Sequence, residues 1–253
     1  MSPSSPSQPA ANPSLPFAGS TGRGVRVAVI DSGVSFPHPH ITHISGGVTI
    51  TADGQVEEGN FADVLGHGTA VMAAIQEKAP AADYYAVRIF TSSLRTNAVA
   101  LRTALDWCVE QRMDVINLSL GTVNPAHREA FAEVIPRASA QGSLLVAARE
   151  ANGQLCYPGC LPGVFGVDVA WDCPRHLYFY SAGKFQTSGF PRPVPGVPPD
   201  RNLSGISFAV ANASAFVALA CEALANERPS SRAAQIQLAL ATEFNLTYNQ
   251  DQA

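Results

Sequence analysis

From Gly205 to Ala225 the chain offers little that can face water. Phe208, Ala209, Ala211, Ala215, Phe216, Ala218, Leu219 and Leu224 recur at helical spacing, and only Asn212, Ser214 and Glu222 interrupt them. A helix that is apolar on nearly every side must be enclosed by other elements. The rest of the chain therefore has to build a shell around it. Ser207 stands at the mouth of this run, between Ile206 and Phe208. Two readings apply to it. Serine is a common N-cap at a helix start. A hydroxyl held there by a buried helix also suits a nucleophile, because the helix N-terminus favours an oxyanion.

A shell of that kind needs material, and 253 residues suffice for one large α/β domain or two small ones. Apolar residues at 46% against 14% charged place the chain among globular proteins rather than disordered ones. A net charge of −4 with no Lys/Arg block excludes a nucleic-acid binder. The apolar run is broken by Asn212 and Glu222, so it reads as a core helix and not a membrane span, and no membrane partner is expected. Met1 to Ser20 is rich in Ser, Pro, Ala and Asn, without the basic and apolar regions of a secretory leader. The expected organisation is a flexible tail over 1–23, one domain over 24–246 and a short tail over 247–253. Five cysteines, an odd number, and no export signal lead us to expect reduced thiols in a cytoplasmic protein.

Along the chain, Gly24–Ile30 is a near-continuous apolar run of the sort found in a strand covered on both faces, and Asp31-Ser32-Gly33 ends it. A carboxylate at that strand end caps a turn or faces a ligand. His38, His40 and His43 lie in a proline-held loop, where solvated histidines are a better reading than a metal cluster. Gly66-His67-Gly68 opens an Ala-rich helix. Strands are expected over Ala82–Phe90, Asp114–Gly121, Ser143–Ala148 and Val164–Val169. Helices are expected over Asn97–Gln111, over Pro125–Gly142 with a kink or break near Pro136, and over Ser231–Thr242. The alternation predicts an α/β fold, a doubly wound and mostly parallel sheet with helices on both faces.

Asp31, His67 and Ser207 thus stand in chain order at a strand end and two helix starts. Their chemistry is complementary: the imidazole takes the hydroxyl proton, and the carboxylate orients the ring. The order Asp, His, Ser is the one known for subtilisin. VAVIDSGV, GHGTAVMAAI, DVINLSLGT and GISFA each resemble a signature of the subtilase family, over about Val25 to Thr242. The resemblance implies a subtilisin-like fold and a triad of Asp31, His67 and Ser207. It makes Ser119-Leu120-Gly121 the edge that pairs with an extended substrate, with Ala147 and Ala148 on the facing wall.

Departures from the family pattern shape further expectations. An asparagine usually follows the Ala-Ala strand end as second oxyanion donor, but here the stretch reads Arg149-Glu150-Ala151-Asn152-Gly153. Asn152 is expected to fill that role, aided by Gly153, although by simple spacing Glu150 or Ala151 takes the position. Arg149 and Glu150 make either a charged pocket or a salt-bridged turn. Ala211 and Asn212 replace the usual Pro and His, which predicts a less firmly held helix start. Cys156, Cys160, Cys173 and His176 spell an irregular zinc set; buried thiols or one disulfide are the better reading, and no cofactor is expected beyond a structural calcium. The expected activity is that of a serine endopeptidase on an extended peptide or protein, with maturation of a specific precursor as its task. The alternatives are a peptide-binding pseudo-protease, and an esterase or transpeptidase on the same triad.

Overall fold

The structure, a computed structural model, describes residues 15–181, 184–225 and 229–250. Strands β1 (Arg26–Asp31), β2 (Gly46–Ile50) and β3 (Val56–Glu58) come first, followed by helix α1 (His67–Gln76) and β4 (Asp83–Arg88). Then come α2 (Ala98–Glu110), β5 (Val115–Leu118), α3 (Arg128–Ala140) and β6 (Leu144–Ala148). A small hairpin, β7 (Glu150–Ala151) and β8 (Gln154–Leu155), precedes β9 (Phe165–Val169), β10 (Tyr178–Ser181) and β11 (Lys184–Thr187). Helices α4 (Ile206–Ala223) and α5 (Pro229–Gln250) complete the chain.

Nine strands form one sheet in the order β10-β11-β9-β6-β5-β1-β4-β2-β3. The strands from β11 to β2 run parallel, and β10 and β3 close the two ends antiparallel. Side chains alternate across the pleat. On β1, Val27 and Val29 face the layer of α1, α4 and α5, while Ala28 and Ile30 face that of α2 and α3. This is the doubly wound α/β architecture expected. In α4, every residue from Phe208 to Cys221 is buried, against β5, β6, β9, β11, α1 and α5. By length and hydropathy α4 could cross a membrane; in this fold it is the core helix.

Several elements differ from expectation. Pro136 sits inside α3 without interrupting it. A short 3-10 turn, Pro125–His127, precedes that helix. Strands β10 and β11 were not foreseen, and α5 extends past the expected Thr242. Residues 15–23 of the expected tail are held to the body. Glu222 at the end of α4 accepts hydrogen bonds from the N–H groups of Thr21, Gly22 and Arg23, at 2.5, 2.6 and 3.1 Å. Phe17 N–H donates to Glu243 Oε1 at 2.8 Å. Residues 1–14 and 251–253, the rest of the two expected tails, lie outside the described residues.

Candidate active site

The end of β1 carries Asp31, which is buried, as ligand-facing carboxylates of parallel sheets are. Its Oδ1 accepts from Ser32 N–H at 2.7 Å and from His67 Nδ1 at 2.8 Å. The two elements meet this closely because Gly68 has no side chain: a Cβ there would stand 2.3 Å from the Gly33 carbonyl oxygen. Gly68 N–H also donates to Ser32 Oγ at 2.8 Å. With its Nδ1 proton on Asp31, the imidazole keeps its Nε2 lone pair for a second partner.

Asp63 fixes the start of α1. Gly66, the residue before the helix, has φ 79° and no side chain to cap with. Asp63 caps instead. Its Oδ1 accepts from Leu65 and Gly66 N–H at 2.9 and 2.8 Å, and its Oδ2 from Thr69 N–H at 2.9 Å and Thr69 Oγ1 at 2.6 Å. Sequence reasoning passed over this residue, although an Asp shortly before a helix that starts with Gly-His-Gly is a capping signal.

Ser207 lies in the first turn of α4, where backbone N–H groups have no helical acceptor. The ring of its neighbour Phe208 is 5.7 Å from that of His67, so the helix start and the imidazole are adjacent. Ser207 Oγ donates to the Ser119 carbonyl at 3.1 Å, and Ser119 Oγ donates to the Ser207 carbonyl at 3.2 Å. This pair ties the nucleophile candidate to the edge Ser119-Leu120-Gly121 that follows β5. Behind it runs a buried relay that the sequence reading missed. Ser214 Oγ donates to Asn117 Oδ1 at 3.0 Å, and Asn117 Nδ2 donates to Ser119 Oγ at 2.9 Å. Asn117 was visible as one amide inside an otherwise apolar strand.

Asn212, taken as a loosening of the helix start, does the opposite. Its Nδ2 donates to the carbonyls of Ser188 and Phe190 at 2.8 and 3.1 Å, and its Oδ1 accepts from Lys78 Nζ at 2.7 Å. Burial and the nearby Arg175 pull the Lys78 ammonium down to about 8. Thr187 Oγ1 adds a bond to the Ala209 carbonyl at 2.6 Å. The first turns of α4 are thereby fastened to the loop that leads into Ser207.

Ala147 and Ala148, both buried, end β6 beside β5, so their strand end lies next to the 119–121 edge. The following residues settle into a turn. Asn152 (φ 53°) and Gly153 (φ 76°) form the tip of the β7–β8 hairpin, the Asn-Gly pairing that a type I′ turn requires. Asn152 is exposed there. Arg149 Nε donates to Asp168 Oδ2 at 2.8 Å, which corresponds to the salt-bridged alternative and not to a charged pocket. Outside the edge, a cleft of about 460 Å³ is lined by Phe90, Leu101, Leu120, Gly121 and Phe131.

The histidine-rich loop is used structurally. His43 Nε2 bonds the Ala82 carbonyl at 2.7 Å and its ring meets Tyr84, while His38 and His40 pack edge to face. All five cysteines are unpaired thiols, and among the described residues no three of His, Cys, Asp and Glu gather at metal-binding spacing.

Comparison with known proteins follows the same lines. The family model described as "Subtilase family" matches residues 22–251. The minor extracellular protease Epr of Bacillus subtilis is 34% identical over 178 residues, covering 66% of this chain and 26% of that protein. Subtilisin E of Bacillus subtilis is 29% identical over 244 residues, covering 89% of this chain and 61% of its own length. The chain thus spans less than two thirds of these relatives. The structure of the prenylagaramide maturation protease PagA superposes with a TM-score of 0.61 at 23% identity, covering 82% of this chain and 79% of that one, a likeness of fold.

Proposed function

The chain belongs to the subtilase family, and from that premise we propose that it is a serine endopeptidase whose nucleophile is Ser207. The observation that carries the reading is the 2.8 Å bond from His67 Nδ1 to the buried Asp31, beside the start of α4. His67 Nε2 takes the proton of Ser207 Oγ as the oxygen attacks the carbonyl carbon of the scissile bond. The oxyanion forms against the Ser207 N–H at the positive end of α4. His67 then passes the proton to the leaving amine, the C–N bond breaks, and an acyl-enzyme remains. Water, activated by the same imidazole, releases the acid product.

Substrate arrival provides the trigger. An extended peptide adding to the 119–121 edge brings a backbone N–H to the Ser119 carbonyl, which now accepts from Ser207 Oγ. That exchange frees the hydroxyl for His67. Asn152 is the proposed second oxyanion donor, reached by movement of its hairpin toward the acyl group; Asn152→Ala then loses about 10²–10³ in kcat, the usual loss when one oxyanion-hole donor is removed. The cleft beside Leu120 receives an apolar side chain of the substrate.

The substrate we propose is a peptide or protein precursor, as for the maturation protease that shares the fold. Five free thiols support work in a reducing compartment, the cytoplasm. Triad chemistry draws on no cofactor, and any calcium would act on stability alone. A second reading, a peptide-binding protein without turnover, is favoured by Ser207 Oγ pointing to Ser119 and by Asn152 standing at an exposed hairpin tip. Mass spectrometry after a fluorophosphonate probe decides between them. Labelling at Ser207 that disappears in Ser207→Ala is the expected result; folded protein that stays unlabelled supports the second reading.

A further inference from the structure

Lys78 is 4% exposed and Asn212 fully buried, so each must find its polar partners inside the protein. Lys78 lies just past the end of α1, the helix that opens with His67. Asn212 lies in the second turn of α4, one turn on from Ser207. Lys78 Nζ donates to Asn212 Oδ1 at 2.7 Å and approaches Glu77 Oε2 at 3.4 Å. Glu77 pairs with Arg175, whose Nε donates to the Phe190 carbonyl at 3.3 Å. That same carbonyl accepts from Asn212 Nδ2 at 3.1 Å. The bonds thus close a circuit from Lys78 through Asn212, Phe190, Arg175 and Glu77 back to Lys78.

This circuit joins the two helices whose first turns carry the reacting groups. Helices α1 and α4 pack against each other, and the circuit adds a polar tie between them and to the segment after β11. Proton transfer from Ser207 to His67 depends on how those helix starts lie, and a misplacement of about 1 Å can cost about a hundredfold in rate. Lys78 is the corner that titrates within reach of neutral pH. Burial lowers its pKa most, Arg175 lowers it further, and Glu77 opposes both, which leaves it at about 8. Glu77 and Arg175 are the charged groups that act on it; Asn212 and the 188–190 backbone bring no charge.

We propose that Lys78 is a positioning residue for the reaction: its ammonium holds Asn212 and, through it, the setting of α4 against α1, so that the alignment of Ser207 with His67 is lost when the ammonium gives up its proton. This rests on the endopeptidase reading, and the two can fail separately.

The rate of fluorophosphonate labelling at Ser207 is followed across pH. After the plateau that His67 sets, it is expected to fall about tenfold through a midpoint near pH 8, the scale of one hydrogen bond to a charged group. Lys78→Met should label about tenfold more slowly on the plateau and show no such fall. The two charged partners should move the midpoint in opposite directions, which a merely structural role would not do. Arg175→Gln raises it, because a charge that disfavours the ammonium is gone, and Glu77→Gln lowers it. A profile without the fall, or a fall that neither Arg175→Gln nor Glu77→Gln moves, would overturn the proposal. Hydrogen exchange over 205–211 in Ser207→Ala protein, corrected for the intrinsic rise of exchange with pH, reads the same tie without the nucleophile and should quicken through the same midpoint. An exchange response in protein that never labels defeats the hydrolase alone. Labelling with no exchange response defeats the role of Lys78 alone.

Discussion

His67 is pulled in two directions. Burial lowers the pKa of its imidazole, while the Asp31 hydrogen bond and the charges of Asp31 and Asp63 raise it, and the balance lies above 6.5. A general base must be neutral, so kcat/KM is expected to rise with pH, with a midpoint above 6.5, and to level off beyond it. The stabilisation that goes with this shift is complete below pH 6.5 and fades as pH climbs through the folded-state pKa. Asp63→Asn keeps an acceptor for the cap but removes a charge, so the midpoint should move down; an unmoved midpoint in the pH–rate profile would limit Asp63 to a capping role. Asn117 carries a different kind of load. Asn117→Ala leaves Ser214 without its acceptor and Ser119 without one donor, and should cost about 1–3 kcal/mol in urea unfolding. Asp31, His67 and Ser207 could be read from the sequence because each stands next to glycine or at a sharp change of pattern. Asp63 and Asn117 left only a local hint, a carboxylate before a helix start and an amide in an apolar strand, since their roles depend on which segments meet in space.

At the scale of elements, α4 decides most. Phe216 is fully buried and its ring lies 4.9 Å from that of Tyr178 on β10. Phe216→Ala should destabilise by about 3–5 kcal/mol, seen as a lower Tm, because the cavity lies where helix and sheet meet and neither can close in. Period-2 and period-3.6 patterning exposed the parallel strands and helices well, since both faces of the sheet are covered. It failed where another rule took over. Tyr178 and Tyr180 alternate as a strand, but the proline-rich stretch that follows reads as loop. Asn152-Gly153 reads as an asparagine given freedom by the glycine after it, and β7–β8 pairing makes it a tight turn instead. Pro136 lies in the last turns of α3, a helix whose packing on α2, α5 and β6 outweighs one lost bond.

The molecule as a whole should tolerate alkali poorly. Burial pushes the thiols of Cys173 and Cys221 up to about 12, and that of Cys108 higher still. In the unfolded chain thiols ionise near pH 9, so the stability they contribute is complete below that and lost as pH rises toward their folded values. Lys78, held down at about 8, works the other way between pH 8 and the ordinary lysine value of 10.5. Scanning Tm from pH 8 to 10.5 should therefore show a fall that Cys108→Ala flattens and Lys78→Met steepens; parallel curves for all three proteins would refute this assignment. The grip of Glu222 on residues 21–23 has a practical side. It sits at the opposite end of α4 from Ser207, roughly 22 Å away along the helix axis. A carrier or affinity handle fused ahead of residue 15 would enter the body at that distant rim. A bead or chip joined directly at residue 15 therefore leaves the working face turned outward.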